Sequence, residues 1–172
     1  MATVYAHIAS EHQRILTLFA LLLATPQQAP DKRAFMVDEL RNELLGHMKA
    51  ELTTFYAALA AGGEAGTALG TEVQADHTSF TQLMEDLAAT DPQLESWTNK
   101  AQSLRDRFAY HVSQVEGMGF TAAERILDSG SAEKLGQDMA DMLVKKKRDV
   151  ESDGMPTDQD HVLPPQAEAK AL

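Results

Sequence analysis

Residues 40–55 read LRNELLGHMKAELTTF, and this stretch decides the fold. Leu40, Leu44, His47, Glu51 and Phe55 recur at steps of three and four, so they share one face of an α-helix. That face is apolar except at its middle, where an imidazole and a carboxylate stand one turn apart. Asp38, Glu39 and Arg41 fall on the polar face. A helix patterned this way buries its stripe and carries His47 and Glu51 into the core.

The same pattern recurs on three other segments. Tyr5, Ile8, His12, Ile15, Leu16 and Phe19 share a face, as do Val73, His77, Phe80, Met84 and Leu87, and then Leu104, Phe108, His111 and Val115. Each stripe holds one histidine at a core position, and the four lie 35, 30 and 34 residues apart. At about 1.5 Å per residue, His12 lies roughly 18 Å before the end of its helix and His47 roughly 24 Å beyond the start of the next. His77 sits at a similar distance from its turn, and His111 somewhat deeper. Antiparallel packing therefore brings the four toward one layer. His7 is about 140° round the first helix from His12 and is expected at the surface.

Punctuation sets the elements. Thr3 caps a first helix ending near Ala24, and Asp31 after Pro30 caps a second that Gly62-Gly63 end. A glycine-rich connection runs to Gly70, and a third helix spans about Thr71 to Ala89. Asp91-Pro92 starts a fourth, which runs to about Asp128, where Ser129-Gly130 stop it; Ser131 caps a shorter fifth helix to about Val150. The expected fold is all-α, an up-down-up-down antiparallel four-helix bundle with a short fifth C-terminal helix. Residues 1–150 form the bundle domain. Residues 151–172, rich in Asp, Pro, Gln and Ala and including His161, read as a disordered or surface-draped tail.

Composition narrows the chemistry. A chain of 172 residues, 44% hydrophobic and poor in β-branched residues, makes one helical domain with a proper core. It has no cysteine, which excludes disulfides, thiolate metal sites, cysteine nucleophiles and iron–sulfur ligation. A net charge of −11 argues against nucleic-acid and anionic-membrane partners. The basic run Lys145 to Arg148 falls where a helix end is expected and complements its dipole. Leu18 to Ala24 is too short to span a bilayer and no leader pattern precedes it, so a cytoplasmic location is expected.

A single core histidine is usually a hydrogen-bonded packing residue. Four in one layer beside Glu51 would be costly to bury without partners. A metal cluster resolves that cost, and imidazole with carboxylate from facing helices is the donor set of a non-haem di-metal site. Glu116, five residues after His111, is about 140° away on a straight helix. It reaches the layer only with an extended side chain or a local π-bulge, which Gly117 and Gly119 would ease. Otherwise it is a solvated rim residue.

The order His12, His47-xxx-Glu51, His77, His111-xxxx-Glu116 resembles the hemerythrin-like (HHE cation-binding) domain over about residues 3–150. Glu11-His12, Phe55-Tyr56, Asp76-His77 and Phe120 agree in local context. The resemblance implies two irons bridged by an oxo or hydroxo group, with zinc or manganese as other metals suited to these ligands. It assigns His12 and His47 to one iron, His77 and His111 to the other, and Glu51 and Glu116 as bridges. Oxygen-carrying members have a further histidine where this chain has Val73, so the His77/His111 iron is expected to keep an open or water-filled position unless Glu72 or another group fills it.

The function implied is a di-iron protein that binds or senses dioxygen or a related small molecule such as nitric oxide or peroxide. The alternatives are a di-iron oxidoreductase acting on peroxide or nitric oxide, iron storage or delivery, and a metal-free interaction bundle. No phosphate loop or nucleophile suggests another enzyme class, and a binding or sensing role stands ahead of a dedicated enzyme. The expected partner is a small ligand, and the expected state a monomer or small homo-oligomer.

Overall fold

A computed structural model describes residues 2–152. Among the described residues the chain is all-helical, without strands. The elements are α1 (Val4–Ala24), α2 (Pro30–Glu51), α3 (Ala57–Ala61), α4 (Glu64–Ala88), α5 (Glu95–Gln114), α6 (Phe120–Ala123) and α7 (Ser129–Ser152). Two π-helical turns, Leu52–Tyr56 and Val115–Gly119, join α2 to α3 and α5 to α6. α1 packs against α2 and α5, and α4 packs against the same two, so the four long helices close a ring; α7 lies on α1 and α2 outside it. The tail expected over 151–172 and its His161 lie outside the described residues, save the end of α7.

Several boundaries follow the expected chemistry. Thr3 caps α1, accepting a hydrogen bond from the Ala6 N–H at 3.4 Å. Pro30 opens α2, where its missing N–H costs nothing, and Asp31 sits in the first turn instead of at the cap. Other boundaries differ. α4 starts at Glu64, seven residues before the expected Thr71, because Gly66 lies against the Leu59 carbonyl of α3 where no Cβ could fit. Here glycine permits close helix contact, and packing outweighs its poor helix propensity. α5 starts at Glu95, later than Asp91-Pro92 suggested, because the Asp91 carboxylate accepts from the Gln93 N–H at 2.8 Å and closes a turn of its own. The fourth helix does not run unbroken to Asp128. The fifth is not short: α7 has 24 residues and takes in Ser129 and Gly130, while Asp128 accepts from the Ser131 N–H at 2.7 Å.

Two apolar clusters fill the ring. One holds Phe19, Leu22, Leu40, Trp97, Leu104 and Phe108; the other holds Val4, Ile8, Phe55, Leu59 and Val115. Between them lies a polar layer. At the outer end of the first cluster, Arg33 is buried, donates to the carbonyls of Thr25 (3.0 Å) and Pro92 (2.8 Å), and lies 4.4 Å over the Trp97 ring. Arg33 thus ties two interhelical connections to that end of the core.

Candidate metal centre

The polar layer consists of His12 from α1, His47 and Glu51 from α2, His77 from α4 and His111 from α5, all buried. Each imidazole comes in on the stripe that the 3.6-residue period assigns to the core, with apolar residues a turn above and below. One donor atom from each of His12, His47, Glu51 and His111 lies within 4.8 Å of the others. His77 reaches the same carboxylate from the far side, its Nε2 3.1 Å from Glu51 Oε2. His111 Nε2 is 3.5 Å and His47 Nε2 3.8 Å from that oxygen, while His12 Nε2 is 3.9 Å from Oε1. The His111 ring stands between its neighbours, 5.5 Å from His12 and 5.3 Å from His77 between centroids.

Protein groups leave this cluster unsatisfied. Both Glu51 oxygens, both ring nitrogens of His47, His77 and His111, and Nε2 of His12 are buried without a well-formed hydrogen bond, the 3.1 Å approach of His77 Nε2 to Glu51 Oε2 included. Folded proteins rarely tolerate one such orphan, each costing about 1–3 kcal/mol. A concentric set of them around one carboxylate fits a bound cation, and this nitrogen-and-oxygen donor set suits iron, manganese or zinc.

The electrostatics agree. Burial holds the His47 imidazole down at about 3, against the opposing pull of Glu51, so near neutrality one ring nitrogen keeps a free lone pair. Burial likewise lowers His12, although Glu51 and Glu116 pull the other way. For Glu51 burial alone would raise the carboxyl, but the facing imidazoles of His111 and His77 outweigh it and hold it well below its ordinary value. An ionised Glu51 carboxylate beside the lowered His12 and His47 imidazoles is a cation-ready arrangement.

Glu116 stands apart from the groups around Glu51. Its Oε1 is 2.8 Å from His12 Nδ1, and its side chain is about a third exposed. A carboxylate there accepts from Nδ1–H and fixes the tautomer that leaves Nε2 free to face Glu51. Glu116 lies within the second π-turn, one of the two ways, with an extended side chain, that its spacing allowed it to approach the layer. The first π-turn, directly after Glu51, had no counterpart in the sequence expectations. Thr53 and Thr54 in that turn donate to the carbonyls of Lys49 and Ala50, both at 2.7 Å, but Thr17, Thr71, Thr78 and Thr81 make the same bond in regular helix, so the sequence held no distinct signal for it. His7 is half-buried on α1 and is not among the residues converging on Glu51.

Among the described residues, an opening approaches the layer. A cleft of about 140 Å³ is lined by Tyr56, Glu72, Val73, Asp76, His111 and Gln114 among others. Tyr56 was legible in sequence only as an aromatic neighbour of the helix-two pair. It is buried in the first π-turn and borders this cleft.

These features, a helical bundle with a buried layer of histidine and glutamate, define a class of cation-binding domain. The family model of the hemerythrin HHE cation binding domain matches residues 3–123, and the chain belongs to that family. Among solved structures it is similar to a hemerythrin HHE cation binding domain-containing protein from Mycobacterium kansasii, with 22% identity and a TM-score of 0.78, covering 88% of this chain and 91% of that one. That likeness concerns the fold. No curated protein matches the chain. Among the described residues, no helix is long and apolar enough to cross a membrane.

Proposed function

We propose that the chain is a non-haem di-iron protein that binds or senses dioxygen or a related small molecule such as nitric oxide or peroxide. The observation that carries this reading is the set of buried, unpartnered imidazole nitrogens and carboxylate oxygens centred on Glu51. His12, His47, Glu51, His77 and His111 hold the metal. Glu116 belongs to the centre as well, as a bridge in the family pattern and here as the acceptor for His12 Nδ1. When bound, the iron pair supplies redox-active positions at which a small molecule is held.

The chain's own residues do the rest. Glu51 contributes the buried negative charge, with one oxygen toward His12 and the other toward His77 and His111. Phe19, Phe80 and Phe108 exclude water from one side of the layer. Val73, at the cleft beside His111, offers no donor atom, which leaves room for an exogenous ligand. That cleft favours one second reading, an oxidoreductase acting on peroxide or nitric oxide.

The reading includes an antiparallel up-down-up-down course for the four long helices, a bundle domain over residues 1–150, a cytoplasmic location, and a monomer or small homo-oligomer. Elemental analysis of the purified full chain tests the centre: about two irons per chain are expected, lost in His47→Ala. Wild-type protein that carries no metal and takes up none on incubation with ferrous iron would overturn it. Turnover of hydrogen peroxide above that of free iron favours the oxidoreductase, whereas stable ligand adducts without turnover favour binding or sensing.

A further inference from the structure

The metal ligands are closed off from solvent, so a cation needs a way in. His12, His47 and Glu51 have no exposed surface, His111 has about 1% and His77 about 4%. On one side of the layer Phe19, Phe80, Phe108 and Trp97 form a continuous apolar seal. On the other side the cleft between α4 and α5 runs from exposed Glu72 and partly exposed Asp76 to buried His111, with the Tyr56 side chain along it. His111 borders this cleft with both ring nitrogens unpartnered. A dehydrating divalent cation moving inward would find carboxylate oxygen first and imidazole nitrogen next.

We propose that this cleft is the entry port through which a divalent cation reaches the histidine layer, with Glu72 and Asp76 as its electrostatic mouth and His111 as the first buried ligand met. The proposal rests on the metal-centre reading and adds to it the route of loading. The same carboxylates act on the neck: burial first, then the charges of Glu51, Asp76 and Glu72, push the Tyr56 phenol up. A narrow, low-dielectric cleft focuses such a field and raises the local concentration of cations. One countercharge faces the mouth: Arg107 on α5 pairs with Asp76 at 2.7 Å. It acts as a brake, so removing it should speed entry.

Cobalt(II) uptake by the metal-free full chain, followed by visible absorption in stopped flow at low ionic strength, tests this. Glu72→Gln should load roughly three-fold slower and Glu72→Lys roughly ten-fold slower, while Arg107→Gln loads faster, all reaching the wild-type endpoint. Glu95→Gln makes the same change in net charge as Glu72→Gln. Its position, sixteen residues before His111 on α5, is about 24 Å away along the helix, so it should load like wild type. The differences should vanish near 1 M salt, where screening acts within about 3 Å. Loosened packing between α4 and α5 would also speed entry, but that acceleration persists at 1 M salt, whereas the electrostatic one vanishes. Loading of the Glu72 and Arg107 variants at the Glu95→Gln rate overturns the port and leaves the metal centre standing. Wild-type protein that binds no cobalt(II) overturns both.

Discussion

The two halves of the bundle, on either side of the histidine layer, are built differently. The half around Phe19, Trp97, Leu104 and Phe108 is regular α-helix with a sealed apolar interior, tied at its end by Arg33. The half around Phe55, Tyr56, Leu59, Val73 and Val115 contains both π-turns, the close Gly66–Leu59 approach and the cleft. One half provides cohesion, and the other gives up regularity at Glu116 and leaves an opening. Stability and function are thus separated along the helix axis, and substitutions in the two halves should behave in opposite ways.

The largest effect is expected in the regular half. Trp97→Ala removes a fully buried indole and uncovers the Arg33 guanidinium, so it should cost about 3–5 kcal/mol of unfolding free energy with or without metal. Denaturant titration measures it, and iron per folded chain should stay unchanged. A large loss of metal at full stability would erase the distinction between the halves.

Within the polar layer the sign reverses. His47→Leu replaces two unpartnered buried nitrogens by apolar surface of similar size, and should stabilise the metal-free protein by about 1–3 kcal/mol while abolishing metal binding. The same variant carries a pH signature. In the fold His47 titrates near 3, whereas in the unfolded chain it takes a proton below about 6.5. The unfolded state therefore binds more protons in that interval, and metal-free wild type loses stability as pH falls from about 6.5 toward 3. Glu51, held low in the fold, adds a further loss as pH drops through the ordinary carboxylate range. Melting temperature against pH should be flatter in His47→Leu than in wild type, and equal slopes would remove the buried neutral histidine from the account.

Smallest is the effect at Glu116. A carboxylate that orients His12 through Nδ1 should be worth roughly ten-fold in metal affinity, so Glu116→Gln weakens binding by about that factor in a competition titration. Glu51→Ala should abolish binding altogether. Equal losses at the two positions would make Glu116 a ligand of the same rank as Glu51.

What the sequence disclosed follows the same division. The 3.6-residue stripes placed His12, His47, His77, His111 and Glu51 in the core correctly, because regular helices turn spacing directly into direction. The irregular half was harder to read. Glycine at Gly66 and Gly70 looked like a linker, yet α4 runs through both, since tertiary contact decides what intrinsic propensity leaves open. The first π-turn was not legible, since the Thr53 and Thr54 hydroxyls make the same bond to a carbonyl four residues back that Thr17 and Thr78 make in regular helix. Pairing the histidines two and two was also beyond spacing alone, since His111 stands near both His12 and His77.

The central claim is that the buried cluster around Glu51 exists to hold metal, and thermal stability with and without a chelator tests it most directly. A bound metal must stabilise the state that binds it. The purified full chain, containing about two irons, is expected to melt several degrees lower after chelation and to recover on re-addition of ferrous iron. Identical melting in both states, with no metal found in the protein and none taken up, would contradict it.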